Sequence, residues 1–203
     1  MEAHHPIGIY LAAGNSRRFG NDKLKQPIKG KALGTIALET ALNSDLKQVI
    51  VVTKEAHIPW LNPFLRHKKC RHITCPQALY GQSLSIQCGL RYAEKQMADA
   101  VMILLADQPF ITHDMINTLI NTYRENKNAA FVASCHKETI CPPILFSKHL
   151  FPNLYTLTGD VGAKYLLAEK AAEGMFLDFE CKQAFQDVDT MMDYERIIRA
   201  DSS

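Results

Sequence analysis

The feature that most constrains this chain is a regular alternation of short aliphatic runs with longer stretches of helical spacing. Ile7–Leu11, Gln48–Thr53, Ala100–Leu105 and Ala129–Ser134 read as strands, Pro143–Phe146 as a short extended piece, and Ala184–Val188 as the strand that closes the sheet. Between them, Leu33–Asn43, Ile58–His67, Gln82–Gln96, His113–Glu125, Val161–Glu169 and Thr190–Arg199 carry helical patterns, with Thr112 placed to cap the helix that follows it. Each helix in such an order returns the chain across the sheet, so consecutive strands run parallel. The pattern predicts an α/β fold, a mostly parallel sheet with helices on both faces. A chain of 203 residues without repeats or linkers is expected to form a single domain, residues 1–203.

Composition narrows the partners. A net charge of +2 creates no global field for nucleic acid or for an acidic membrane surface, so neither is expected. No apolar run approaches about 18 residues, and Met1–Pro6 lacks a signal-peptide pattern, which predicts a cytoplasmic protein. Cys70, Cys75, Cys88, Cys135, Cys141 and Cys181 match no zinc spacing. All six are therefore expected to be reduced thiols packed as small apolar groups.

In open α/β sheets, ligands sit outside the carboxyl ends of the strands. The polar residues of interest fall there. After Leu11 comes Ala12-Ala-Gly-Asn-Ser-Arg-Arg-Phe-Gly-Asn-Asp-Lys23, and Arg17, Arg18, Lys23, Lys25, Lys29 and Lys31 face only Asp22 as a local acid. Bare amides of Ala12, Ala13 and Gly14 together with Arg18 and Lys23 suit a triphosphate. It is neither a Walker A loop nor a dinucleotide fingerprint. Asp107 follows the strand Ala100–Leu105 directly, a hard oxygen ligand for Mg²⁺. In Asp187-Val-Asp-Thr190 either aspartate could add a second carboxylate, and Asp189 or Thr190 could cap the last helix; Asp187 is assigned to the metal and Asp189 to the cap. Pro76–Ser85 opens a helix at Gly81, with Ser83 as its cap or as a ligand contact. Thr158–Lys164 is a turn leading into a helix with one basic side chain.

Together these segments resemble the MobA/MocA-type nucleotidyltransferases, most closely the molybdenum cofactor cytidylyltransferases. Leu11-Ala-Ala-Gly-x-Ser-x-Arg-Phe-Gly-x-x-Lys23 matches the family signature, with Phe19 where the family has Met. Gly81-Gln-Ser-Leu-Ser85, Ala106-Asp-Gln-Pro109, Gly159-Asp-x-Gly-Ala-Lys164 and Asp187-Val-Asp-Thr-x-x-Asp193 follow in the family's order, over about residues 7 to 198. The chain departs at Cys141-Pro142, where the family places Gly before a Pro-x-x-Phe run.

The resemblance implies a Rossmann-like three-layer sandwich of the nucleotide-diphospho-sugar transferase type. It implies transfer of CMP from CTP to molybdenum-bearing molybdopterin, with release of pyrophosphate, for the maturation of xanthine-dehydrogenase-like enzymes. Ala12-Ala13-Gly14 goes with the cytidylyl type. Arg18, Lys23 and Asp107 would be catalytic; Leu11, Ala12, Ala13, Gly14, Lys23, Thr53, Gln77, Ser83 and Asp107 would hold the nucleotide; Asp107 and Asp187 would hold Mg²⁺. Handover of product to an apo molybdoenzyme or its chaperone is the expected partnership. A GTP-dependent enzyme, a sugar or polyol phosphate acceptor, and a non-catalytic handover factor are the competing readings.

Overall fold

Strand β1 (Ile7–Leu11) is buried along its whole length, as an aliphatic run without alternation requires. In the computed structural model, which describes residues 5–14, 18–20, 22–167 and 170–200, it lies inside a seven-stranded sheet. A small hairpin, β2 (Pro27–Ile28) and β3 (Lys31–Ala32), leads into α1 (Leu33–Leu42). The chain continues through β4 (Gln48–Thr53), β5 (Cys70–Thr74), α2 (Gln82–Lys95), β6 (Ala100–Leu105) and α3 (His113–Glu125). It then runs through β7 (Phe131–His136), β8 (Thr139–Ser147), α4 (Phe151–Thr156), β9 (Met175–Asp178) and α5 (Met191–Ala200). The sheet order is β5-β4-β1-β6-β8-β7-β9, and every pairing is parallel except those of β8.

Period-two alternation divides the core into two layers. Tyr10 joins α1 and α3 on one face, packed with Leu38, Ile116 and Leu119. Ile7, Ile9 and Leu11 join α2 and α4 on the other, with Ile86, Leu90 and Leu154. The three-layer α/β architecture expected from the sequence is therefore present. Gly89 permits the close contact of α2 with β1, because a Cβ there would lie 2.4 Å from Ile9 Cγ2. α3 spans the predicted residues: Thr112 Oγ1 accepts from Met115 N at 3.2 Å, and Met115, Ile116, Leu119, Ile120 and Tyr123 form its buried stripe.

The C-terminal third differs from the expectation. The predicted strand Ala129–Ser134 begins two residues later, as β7. The piece at Pro143–Phe146 is part of the nine-residue strand β8, returning antiparallel from a turn whose Lys137 and Glu138 both have positive φ. Pro142 and Pro143 lack ladder donors, and the β7–β8 pairing steps from Ala133↔Ile144 to Ser134↔Cys141 around them. Ala184–Val188 is no strand. A 3-10 turn, Lys182–Phe185, and an extended segment replace it, and β9 takes the sheet edge. Ile58–His67 contains only the 3-10 turn Pro59–Phe64, since Pro63 lies within it. Val161–Glu169 yields the 3-10 turn Ala163–Leu167, and residues 168–169 lie outside the described ones. Among the described residues no helix is long and apolar enough to cross a membrane.

Cys75 and Cys88 form a disulfide, which corrects the expectation of six free thiols. Cys75 directly follows parallel β5, and α2 returns Cys88 to a Cα–Cα distance of 6.3 Å, within bridging range. A separation of 13 residues says nothing of that until the turn between them is known. Cys70, Cys135, Cys141 and Cys181 are free.

Candidate active site

The parallel strands β1, β4 and β6 end together, with Leu11 opposite Val52 on one side and Leu105 on the other. The chain leaving each end meets at this edge. After Leu11, the Ala12 amide donates to Val52 O at 2.9 Å and so extends the strand. It is not available to a phosphate, which corrects its assignment as a nucleotide donor. Ala13 and Gly14 do line a cavity of about 100 Å³, together with Leu11, Lys23, Gln82 and Asp107.

Lys23 opens a 3-10 turn in which Asp22 accepts from the Leu24 amide, and the burial of Leu24 fixes the turn. Lys23 itself is only 7% exposed. Its Nζ donates to Asp107 Oδ2 at 2.7 Å and to Asp189 Oδ1 at 3.0 Å. Burial works against its charge, but the adjoining Asp107 and Asp189 carboxylates outweigh it and raise its pKa overall. Arg18, largely exposed, donates to Asp189 Oδ2 at 2.9 Å. The other basic residues of this stretch disperse: Lys25 pairs with Asp22 and Lys31 with Glu39. Arg17 lies outside the described residues.

Asp107 is held by its own backbone, whose carbonyl accepts from Val188 N at 2.9 Å. That bond docks the segment bearing Asp187 and Asp189. The cap of α5 is Thr190, not Asp189. Thr190 N donates to Asp193 Oδ2 at 2.8 Å, and Asp193 N donates back to Thr190 Oγ1 at 3.2 Å, a reciprocal capping box. Asp189, assigned to capping from the sequence, is thereby released to the Lys23 cluster. Asp187 faces a second cavity of about 240 Å³, which shares Leu11, Gln82, Leu105 and Asp160 with the first. Burial, with repulsion from Asp107, pushes its carboxyl up to about 6, against a hydrogen bond from Gln108 that lowers it.

Three nucleotide contacts expected from the sequence are not at either cavity. Ser83 is buried within the first turn of α2, where N-cap Gly81 makes no side-chain bond, and its Oγ donates to Gly159 O at 2.8 Å. Thr53 is buried, and its hydroxyl bonds Glu55 O and His72 Nε2. Gln77 is exposed on the turn Pro76–Tyr80 and lines neither cavity. Gln82 and Ser85 take that place. They are three apart on α2 and so share a face that Ser83 does not. The signal was available in the spacing. Gly81 closes the arrangement: with φ of +143°, it lies so near the other loop that a Cβ would fall 2.2 Å from Gly159 O.

A model of the MobA-like NTP transferase domain matches residues 8–174. The chain belongs to this family. As a MobA-like NTP transferase it is a nucleotidyltransferase, and its residues 175–200, with Asp187 and Asp189, lie beyond the match. It is 37% identical to the purine catabolism protein PucB of Bacillus subtilis (strain 168), over 98% of this chain and 99% of that protein. It is 30% identical to a probable molybdenum cofactor guanylyltransferase of Aquifex aeolicus (strain VF5), over 62% of this chain and 58% of that one. The Rv0371c structure from Mycobacterium tuberculosis H37Rv shares the fold, with a TM-score of 0.81, 21% identity, and coverage of 97% of this chain and 99% of that chain.

The implied Mg²⁺ would need hard oxygen donors at this edge. Among the described residues no group of three or more His, Cys, Asp or Glu side chains could hold a metal ion. Asp107 and Asp187 repel one another near the boundary of the two cavities, and Asp187 is raised by it. Two hard carboxylates, completed by phosphate oxygens, are what Mg²⁺ takes. Asp107 and Asp187 would fit that ion if a nucleotide's phosphates completed its shell.

Proposed function

We propose that the protein transfers CMP from CTP to the terminal phosphate of molybdenum-bearing molybdopterin and releases pyrophosphate. The observation that carries this reading is the placement of Asp107 in the smaller cavity and Asp187 in the larger, with Lys23 bonded to Asp107 between the strand ends. Nucleotide phosphates belong on the Ala13–Gly14 and Lys23 side. The acceptor belongs on the Asp187 side.

A phosphomonoester acceptor is already largely ionised near neutrality, with a second pKa of about 6, so the reaction needs no strong base. The obstacle is charge. Mg²⁺ held by Asp107 and Asp187 would draw negative charge off the reacting phosphate oxygens. Lys23, beside Asp107, would neutralise the transferring phosphoryl group and the departing pyrophosphate. Arg18 adds positive charge from the solvent side.

Cytosine is favoured by Ala12-Ala13-Gly14, and the role in purine catabolism by the likeness to PucB. Guanylyl transfer is the second reading, favoured by the Aquifex aeolicus relative. The product would pass to an apo molybdoenzyme or its chaperone in the cytoplasm. Thermal unfolding with Mg²⁺ and each of CTP, GTP, ATP and UTP tests the base. A nucleotide at a hundredfold excess over Kd stabilises the native state by about 2.7 kcal/mol. A shift with CTP alone is expected; a GTP-selective shift overturns the base assignment.

A further inference from the structure

The nucleotidyl transfer proposed above uses neither sulfur of the Cys75–Cys88 bridge, yet the bridge stands at the edge of the site. Cys75 is fully buried, and its amide donates to Thr53 O at 2.7 Å, so this end is fixed to the end of β4. Cys88 is half-buried on α2. Between them lie the turn Pro76–Tyr80, Gly81 and the first turns of α2. That segment brings Ala78, Gln82 and Ser85 to the smaller cavity, and Gln82 and Ile86 to the larger. In the turn only Ala78 is buried, while Leu79 and Tyr80 are exposed. The body of α2 is held by other means, Ile86 and Leu90 in the core and Gly89 against Ile9. The bridge therefore ties down the cavity edge rather than the scaffold.

The two sulfurs differ in access and surroundings. Arg91 Nη2 lies 3.6 Å from Cys88 Sγ. A cation beside a sulfur favours its thiolate. Cys75 Sγ lies 3.5 Å from Leu84 O, an acceptor for the thiol once the bridge is open. The reduced pair is thus provided for at both ends. In a reducing compartment a disulfide is ordinarily a transient or sensing one.

We propose that Cys88 is a thiol-exchange site, at which a small thiol of the glutathione class opens the bridge and so loosens the nucleotide-binding edge. The proposal rests on the nucleotidyltransferase reading and adds regulation to that site. A thiolate attacks the accessible Cys88 Sγ. A new S–S bond forms there, the Cys75–Cys88 bond breaks, and Cys75 leaves with the electron pair and takes a proton from water. A second thiolate attacks the small-thiol sulfur of the mixed disulfide and releases Cys88 as a thiolate beside Arg91. Two small thiols are oxidised to their disulfide, and the protein bridge is reduced to two thiols. The turn keeps its own bonds, Ala78 N to Cys75 O and Gly81 N to Ala78 O, but loses its cross-link to α2. A nucleotide must then order this edge as it binds, which weakens affinity.

The test takes the full chain, purified without reductant, through glutathione buffers from oxidising to reducing. Alkylation with iodoacetamide in denaturant, read by mass, should add four groups to the oxidised chain, on its free cysteines, and six to the reduced one. Reduction should speed hydrogen exchange at the amides of residues 77–81. It should also weaken binding of CTP with Mg²⁺ roughly tenfold, the scale of ordering one or two more side chains on binding. Cys88→Ser should show both effects without reductant. Oxidised glutathione should form a mixed disulfide with Cys88 in Cys75→Ser and none with Cys75 in Cys88→Ser; the reverse would overturn the assignment of Cys88. The wild-type series decides the matter even if neither variant folds. A chain with no bridge in the oxidising buffer overturns the proposal, as does a bridge that survives the reducing one. Equal exchange and equal CTP affinity in the two forms overturn it too. Failure of CTP to bind either form, with exchange at residues 77–81 still rising on reduction, strikes the nucleotide assignment and leaves the exchange site standing.

Discussion

The two cavities share a wall and differ in what lines them. The larger sets Ile86, Ile103, Ile140, Ile144 and Phe185 against Gln82, Tyr165, Lys164, Asp160 and Asp187. The smaller has Leu11, Leu24, Ala78 and Leu105 around the Lys23–Asp107 ion pair. Charges there are paired before substrate arrives, so little reorganisation is left for the reaction itself. On the proposed function, substitutions at the ion pair alter rate, while those in the larger cavity alter acceptor affinity.

The sharpest way to break that division is Asp107→Ala. Turnover should fall by about 10³-fold or more, the scale of a lost preorganised electrostatic contact plus its metal, with the fold intact by circular dichroism. Normal turnover would remove Asp107 from the chemistry. Lys23→Ala comes next. Its single-turnover rate should drop by about 10²-fold while KM for the acceptor is unchanged; a change confined to acceptor affinity would dissolve the distinction between the two sides.

A smaller effect concerns pH. In metal-free protein, burial and then the Asp107 charge push the Asp187 carboxyl up to about 6, above the ordinary aspartate range. The folded state holds this proton more tightly than the unfolded chain does. The associated stability is complete below about pH 4 and is lost as pH rises through 6. Asp187→Asn carries no such loss, so in EDTA it should exceed wild type at pH 7.5 by on the order of 2 kcal/mol, a few degrees in Tm. At pH 4 the two should converge. A constant gap across that range would mean Asp187 is not the group responsible. The smallest effect is expected for Arg18→Ala. Its exposed pair with Asp189 is screened by solvent, so kcat should fall by only about threefold. A drop matching that of Lys23→Ala would place Arg18 on the phosphoryl group itself.

What could be read from sequence follows the physics of each region. β1, β4 and β6 are buried on both faces and so announce themselves as unbroken aliphatic runs. β5 and β9, by contrast, are edge strands of mixed polarity, Cys-Arg-His-Ile-Thr and Met-Phe-Leu-Asp, without a period to notice. β8 was obscured by Pro142-Pro143, which argue against a strand unless a bulge absorbs them. In the site, Lys23, Asp107 and Asp187 were legible because each stands beside a strand end or in a family motif. Asp189 was misassigned because Asp before Thr looks like a cap, and only the reciprocal bonds of Thr190 and Asp193 reveal which residue performs it. Ser83 and Thr53 were misplaced for a related reason: a hydroxyl near a ligand edge is as often consumed by its own backbone surroundings.

The bond from Lys23 to Asp189 spans 166 positions of chain. Residues 7–147 already contain eight of the nine strands, and with them most of the sheet. The charge cluster therefore joins a turn near the start of that span to a segment reached only after all nine strands have been made. Lys23 and Asp107 exist together on a growing chain before Asp189 does, so laying down the strands and completing the cluster are separate events.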